Sequence, residues 1–502
     1  MGLVLALGAG WLARRFAGLS SRRQLLMVVA AAVAGAALLG ALLAGGLLPK
    51  ALAARIMGFS LGERSVWERL WWSKDALGLV KDSPILGSGG GGWAARYWQY
   101  QTYNYYTREI HNDYIQTLVE TGGLVGFLAL LALLGTLGRA AWRAATSEKA
   151  PGPWRHLVAP AAAGALMLAL HGLLDADFTL LVPGVVFWLL LGAVDGLTLG
   201  KRVSASAGAS RARAGLIVAA VALSSVAVSL FTAQQVMREA VILSTKGAWP
   251  QSVAGMARAS IFDPWSTDIR VQRALILEAA GIYNAAETPG AVARAREQYV
   301  TALELQPDGP NNHDTYGLFA MRNGMTDVGI AEFEKALELQ PFEALRYARA
   351  AEAHFALGYS ELTNGHSAEA HPNLGRCVEL KALLAKQAAK VPSIVPQDSA
   401  LPAETPTLNL QAGKALALLG RFREAQTLLV EAHEARLCEL ARETNQSVAG
   451  RKFETALWLL LVEERLGHAK SAANYLKEVR SLSPEPDELR QELGRWIGAT
   501  GT

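Results

Sequence analysis

Charge is scarce in this sequence: 18% of its 502 residues are Asp, Glu, Lys or Arg, while 51% are hydrophobic. A soluble chain carries about a quarter charged residues. The deficit is uneven. Residues 1–231 hold long Leu/Ala/Val/Gly runs with few charges, and residues 240–502 have the composition of an ordinary soluble helical protein. Two modules are implied, one for the membrane and one for water. Cysteine is nearly missing. Cys377 and Cys438 stand in separate helical stretches, and two isolated buried thiols are expected. Net charge is small, at +4, and the Lys and Arg residues cluster between apolar runs. That placement sets membrane topology and argues against nucleic acid as a partner. The apolar N-terminal stretch lacks a basic leader and a small-residue cleavage site, so it reads as a span. The glycine run "GSGGGGW" at 87–93 ends in Trp93. A phosphate loop would end in Gly-Lys-Ser/Thr, and no dinucleotide spacing occurs, which leaves a linker or a tight turn. Residues 240–502 contain neither a metal-ligand spacing nor a nucleophile constellation.

A membrane span needs about 20 apolar residues. The stretches 1–13, 25–48, 116–137, 157–174, 179–199 and 214–232 come close. Arg14, Arg15, Arg22 and Arg23 separate the first two; Arg139, Arg143, Lys149 and Arg155 the third and fourth; Lys201, Arg202, Arg211 and Arg213 the last two. If the chain crosses at each stretch, all three linkers fall on one side, and the positive-inside rule makes that side the cytoplasm. The loop 49–115, the turn at Asp175–Phe178 and everything after 232 then lie outside.

The outer loop is aromatic and carries arginines. Its segment "RSVWERLWWSKDALGLVKDSPILG" has a helical period, and Pro84 ends that helix at or before Ser83. "WAARYWQYQTYNYYTREIHND" mixes Trp and Tyr with Arg96 and Arg108. Such rings favour the headgroup level and stack on sugar faces, while arginine makes forked contacts to phosphate oxygens. The ligand type is part sugar, part phosphate and part lipid. His111 is the group here that accepts a proton near neutral pH. A histidine that merely caps the following helix, or bonds an interfacial water, is the plainer alternative.

In the second half "ALELQP" occurs at 302–307 and again at 336–341, a spacing of 34 residues, the period of the tetratricopeptide repeat. "NNHDTYGLFAMRNGMTDVGIAEFEKALELQP" reads as helix, turn at Asn323–Gly324, and helix. Weaker copies are expected at 408–435 and 454–484, with an irregular leading copy at 255–283. The proline-rich stretch 388–407 is expected as an exposed insertion. Stacked copies build a helical solenoid, which binds partners.

"ERLWWSKDALGLVKDSPILGSGGGGW", "HNDYIQTLVETGGLVGFLAL" and "HGLLDADFTLLVPGVVFWLLLGAV", in that order, resemble the O-antigen ligase and O-antigen polymerase superfamily, which also includes protein O-oligosaccharyltransferases. The resemblance spans roughly residues 60 to 200, and tetratricopeptide tails resemble those of several members. It implies a metal- and cofactor-independent glycosyl transfer, from a glycan on a polyprenyl pyrophosphate to a lipid, glycan or protein acceptor. By position, Arg69 would hold the donor pyrophosphate. His111 would activate the acceptor hydroxyl or orient the donor. Trp93, Arg96, Arg108 and Asn112 would contribute to donor binding. His171, Asp175 and Asp177 match the late "H---D-D" motif, as acceptor-facing or structural groups. Members of the family carry more spans and a further arginine in a Ser-Arg-Gly stretch upstream. Here "MGLVLALGAGWLARRF" corresponds to the family segment just after that stretch, so a fragment, a split protein needing a partner, or an inactive relative is expected.

The expected architecture is all-α: a polytopic transmembrane helix bundle over 1–232, followed by an extracytoplasmic tetratricopeptide-like solenoid over 240–502. The expected function is glycan transfer or polymerisation at the outer face of the cytoplasmic membrane. The alternative is a non-catalytic membrane scaffold whose repeats recruit protein partners in cell-surface glycan assembly.

Overall fold

The structure is a computed structural model that describes residues 64–146, 157–199, 207–393, 395, 405–440, 446–483 and 486–498. The expected spans 1–13 and 25–48, the linker residues Arg14, Arg15, Arg22, Arg23, Lys149, Arg155, Lys201 and Arg202, and most of the stretch 388–407 lie outside them. Every regular element among the described residues is helical. The chain divides into two units: residues 106–219 with those before 101, and residues 101–105 with those from 220 onward.

The first unit opens with α1 (Arg64–Asp82). Ser83 and Pro84 come next, so the helix stops where proline forbids it to continue. Short α2 (Gly92–Arg96) and a 3₁₀ turn at Tyr97–Gln99 succeed it. Then come α3 (Asp113–Glu120), α4 (Gly123–Thr146), α5 (Val158–His171) and α6 (Leu181–Leu199). The expected continuous span 116–137 is broken between α3 and α4. Gly122 and Gly123 both take positive φ there, 89° and 56°, a conformation that glycine adopts without steric penalty. The break is a docking point. Leu124 N–H donates to Pro84 O at 2.9 Å, and Ser88 N–H donates to Val119 O at 2.6 Å. A Cβ on Gly123 would lie 2.6 Å from Ile85 O, and one on Gly87 would lie 2.7 Å from Val119 O. The "PILG" turn and the "ETGG" corner thus fit only because both lack side chains at the contact. Ala165, Ala169, Phe187 and Leu191 form the core between α5 and α6, with Leu134 of α4 against it. Their outer faces leave Leu128, Leu131, Leu166, Met167, Val182, Trp188 and Leu189 exposed.

Helix α7 (Ala207–Thr245) links the units. Among the described residues, its stretch Ile217–Thr245 is the one long and apolar enough to cross a membrane; Gly123–Thr136, Pro160–His171 and Val182–Val194 are shorter apolar helices.

The second unit is a run of antiparallel helix pairs. They are α9 (Thr267–Tyr283) with α10 (Ala291–Leu305), α11 (Pro310–Arg322) with α12 (Thr326–Leu339), and α13 (Ala344–Thr363) with α14 (Ser367–Ala388). α15 (Pro406–Leu418) pairs with α16 (Phe422–Leu440), and α17 (Gln446–Leu466) with α18 (Ala469–Leu482); α19 (Pro486–Gly494) ends the run. Three pairs share one register: Gly317–Gly324–Gly329–Phe333, Gly358–Gly365–Ala370–Leu374 and Gly413–Gly420–Ala425–Leu429. The first glycine lets the helices meet: added Cβ atoms would lie 2.8 Å from Phe333, 3.0 Å from Leu374 and 2.8 Å from Leu429. The second makes the turn at φ 73°, 85° and 76°. A backbone bond closes each turn, Met325 to Ala320 O at 2.9 Å, His366 to Glu361 O at 2.8 Å and Arg421 to Leu416 O at 2.9 Å, the glycine-terminated helix end. The small–large pair that comes next is the A-x3-F signature of the tetratricopeptide repeat. Leu374 and Leu429 are fully buried, each contributing roughly 1.5–3 kcal/mol.

Two readings of the sequence are corrected. The copy expected at 255–283 joins halves of different hairpins. Helix α8 (Trp249–Phe262) folds back on α7 at Gly247, with Ala248 N–H on Leu243 O at 3.0 Å and Ser252 Oγ on Ala240 O at 2.7 Å. The hairpin α13–α14 lies between the recognised copies, where the sequence reading placed no repeat. Cys377 is buried and free, and burial pushes its thiol up to about 12; the Cys438 side chain lies outside the described residues.

Candidate functional site

Helix α3 begins at a cap built from its own sequence. Asn112 is extended, at φ −153° and ψ 102°, and its Oδ1 accepts from Tyr114 N–H and Ile115 N–H, both at 3.1 Å. The cap is therefore Asn112, and His111 is released from that role. His111 has φ 57°, and it is the one non-glycine residue with positive φ among those described. A bulky residue in that region is strained and marks a candidate site.

Each residue of "HNDY" is bonded to the segment 169–178. His111 Nδ1 lies 2.8 Å from Asp175 Oδ1. Asn112 Nδ2 donates to Leu173 O at 3.0 Å. Asp113 N–H donates to Gly172 O at 2.7 Å, and Asp113 Oδ2 accepts Phe178 N–H at 2.9 Å. Tyr114 OH donates to Ala169 O at 2.8 Å. Helix α1 adds Arg69, whose Nη1 donates to Leu174 O at 2.8 Å and whose Nη2 stands 3.5 Å from Asp175 Oδ2. One turn on, the Trp72 ring lies 5.3 Å from that of His111.

The charges are set by this geometry. Burial works against ionisation of Asp175, but the hydrogen bond from His111, the Ala176 N–H at 2.9 Å and the Arg69 charge outweigh it, and the carboxyl is held below its ordinary value. An ionised Asp175 only accepts, so His111 carries its proton on Nδ1. In the neutral imidazole Nε2 is then the acceptor, and it has no hydrogen-bond partner among the described residues. A carboxylate-oriented imidazole with a free nitrogen is the arrangement of a general base. A second pair stands in the same segment: His171 Nδ1 lies 2.6 Å from Asp177 Oδ2. Asp113, at 1% exposure, is pushed up to about 7, chiefly by burial, with Asp177 and Asp175 adding to it against the Phe178 N–H. Glu109 is raised too, by burial and then by Glu120.

The structure thus joins Arg69, His111, Asn112 and Asp175, with His171 and Asp177 in the same segment. Trp93 and Arg96 stand on α2, and Arg108 on the loop after it. Trp93 is fully buried, its ring stacked on Tyr97 at 5.3 Å, and its backbone N–H donates to Glu120 Oε1 at 3.1 Å. Arg108 Nε donates to Tyr106 OH at 3.1 Å. Sequence reasoning missed Trp72, Asp113 and Tyr114. The signals were the helical spacing of Trp72 from Arg69 and the two residues directly after "HN". Among the described residues no cluster of His, Cys, Asp and Glu could hold a metal ion.

These features define a helical protein with apolar helices, a polar constellation at a helix mouth, and a repeat unit. A family model described as O-Antigen ligase matches residues 1–131. The match includes Arg69 and His111 and stops short of Asp175; it indicates a ligase- or polymerase-like role. No curated protein matches the chain. Among solved structures, the chain is similar to PilF of Pseudomonas aeruginosa, with 15% identity over 52% of this chain and 97% of that one at a TM-score of 0.32. It is also similar to PilW, a type IV pilus biogenesis factor, with 18% identity over 52% and 98% at a TM-score of 0.33.

Proposed function

We propose that this chain transfers a glycan from a polyprenyl-pyrophosphate donor to an acceptor hydroxyl at the outer face of the cytoplasmic membrane. The observation that carries this reading is the trio Arg69, Asp175 and His111. Asp175 fixes the imidazole, and Nε2 takes the acceptor proton as the acceptor oxygen bonds to the sugar's anomeric carbon. The bond from that carbon to the phosphate oxygen breaks, and its electron pair leaves with the pyrophosphate. Arg69, and Arg108 from the neighbouring loop, meet the charge that develops there. Fixed cations near a low-dielectric interface stabilise it better than water does. General-base assistance supplies about 10²–10⁴-fold.

The membrane topology belongs to the same proposal. The charged linkers put the loop 49–115 and the turn at 175–178 on one side, and that assignment is supported by the bonds from Arg69 and His111 to Leu174 and Asp175. The exposed leucines and valines of α4, α5 and α6 suit lipid contact. The repeat unit, placed outside, supplies a surface for a protein partner. A reporter active only outside the cytoplasm is expected to work after residue 100 or 240 and to fail after 148 or 206.

The test is a transfer assay with a polyprenyl-pyrophosphate glycan on the full chain. His111→Ala and Arg69→Ala abolish transfer while insertion and abundance hold. Arg69→Lys rescues poorly, because an ammonium cannot make the forked contact. Full activity in His111→Ala would refute the assignment and favour the scaffold alternative.

A further inference from the structure

We propose that Asp113 is a positioning residue, which sets the His111–Asp175 pair by clamping both ends of the segment 172–178 onto the first turn of α3. The proposal rests on the reading of His111 as the base. Asp113 touches no reacting atom in that reading.

Three observations carry it. First, Asp113 is 1% exposed, and a carboxyl so buried is costly unless it is bonded. Its bonds run to the two ends of one segment: Asp113 N–H to Gly172 O at 2.7 Å, and Phe178 N–H to Asp113 Oδ2 at 2.9 Å. Asp175 lies between those ends. Secondly, the fit is specific. A Cβ on Gly172 would lie 2.6 Å from Asp113 Oδ2, so the carboxyl occupies the space that the missing side chain leaves. Thirdly, Asn112 and Arg69 hold the carbonyls of Leu173 and Leu174, at 3.0 and 2.8 Å. These contacts fix the approach to Asp175, and on the far side Asp113 supplies the acceptor for Phe178 N–H, with the Tyr114 ring edge-on to that of Phe178 at 6.1 Å. A segment loosened at Phe178 lets Asp175 swing, and the bond to His111 Nδ1 goes with it.

The experiment uses the full chain, labelled with ¹⁵N-histidine, in lipid nanodiscs. The Nδ1–H resonance of His111 is assigned by its loss in His111→Gln, and its exchange with water is measured. Asp113→Asn keeps an acceptor oxygen for Phe178 N–H and is expected to exchange like the parent. Asp113→Leu keeps the size without the acceptor and is expected to exchange about tenfold faster, the scale of one lost hydrogen bond to a charged group. Gly172→Ala, a smaller perturbation from the other side, is expected to behave like Asp113→Leu. In the transfer assay the damaged variants lose kcat with the donor KM unchanged, and Asp113→Asn restores it. Parent-like exchange in Asp113→Leu and Gly172→Ala, with both proteins folded by circular dichroism, overturns the proposal. So does Asp113→Asn as damaged as Asp113→Leu. If the exchange pattern holds but the parent chain transfers no glycan, the positioning stands, and the glycosyl-transfer reading of His111 falls.

Discussion

Replacing Asp175 with asparagine changes one heavy atom and tests the chemistry directly. The carboxylate accepts from His111 Nδ1 at 2.8 Å and from Ala176 N–H at 2.9 Å through the same oxygen, and faces Arg69 at 3.5 Å with the other. An amide keeps one acceptor. If that oxygen turns to the Arg69 guanidinium, the NH₂ takes the place of Oδ1 against the imidazole, and His111 must turn Nδ1 into the acceptor. The proton then moves to Nε2, and the base is gone. The expected loss is about 10²–10⁴-fold in transfer, the range that a general base supplies. Stability is expected to move little. Arg69 and Asp175 are partly exposed, with side chains at 37% and 27%, and such a pair contributes under about 1 kcal/mol. The depressed carboxyl also fixes the pH window. Its contribution is present above the ordinary carboxylate range and is lost as pH falls through its lowered value. Transfer by Asp175→Asn within about tenfold of the parent would refute the tautomer argument and leave Arg69, Arg108 and the interface as the chemical elements.

Asp113 runs the other way. Its folded value of about 7 exceeds the ordinary 3.8, so the folded state is favoured at low pH and loses up to about 4 kcal/mol as pH rises from the one to the other. Asp113→Asn should flatten that slope in thermal unfolding, and an unchanged slope would contradict the burial argument. Gly123→Ala should destabilise by about 1–2 kcal/mol for its φ of 56° and by about 1–3 more for the overlap with Ile85 O. Gly135→Ala, with nothing within 4 Å of the added Cβ, should be neutral or stabilising by the same thermal measurement. Residues 240–502 expressed alone should give a helical circular dichroism spectrum and a cooperative melt; a disordered spectrum would sink the solenoid reading. His111→Gly should relieve about 1–3 kcal/mol of backbone strain while losing transfer, and a less stable variant would mean that the ring's contacts outweigh the strain.

The local signals in the sequence carried far. Pro84 marks the end of α1 at Asp82, and Gly324 marks the α11–α12 turn, because each residue acts on its own backbone. The repeat was legible where the hexapeptide recurs, yet α13–α14 escaped although Gly358, Gly365, Ala370 and Leu374 keep the register. Those positions encode close approach, and only the second helix shows what each glycine makes room for. The copy expected at 255–283 straddles Asp263–Ser266, which joins one hairpin to the next. The long-range parts of the site were not legible. Asp175 stands 64 positions from His111, and no periodicity links them. Trp93 looked like a ring for stacking on a sugar, but whether a tryptophan faces a ligand or the core is decided by its neighbours. Asn112 was legible as a cap by residue type, although the sequence reading placed it with the donor-binding residues.

The strain at His111 ties these points together. An N-cap must be extended and must turn its side chain back on the helix, and Asn112 does both. The chain has to bend sharply just before it, and glycine would make that bend freely. A histidine there costs about 1–3 kcal/mol. Capping cannot be the return for that cost, since Asn112 already caps. Packing alone is a weak return, since the His111 side chain is 31% exposed. What the strained backbone does achieve is to aim the ring at Asp175 and beside Trp72, with Nε2 left open. The distorted residue, its ionised partner and the arginine on α1 therefore belong to one arrangement, and its geometry suits proton transfer better than it suits holding the helix together.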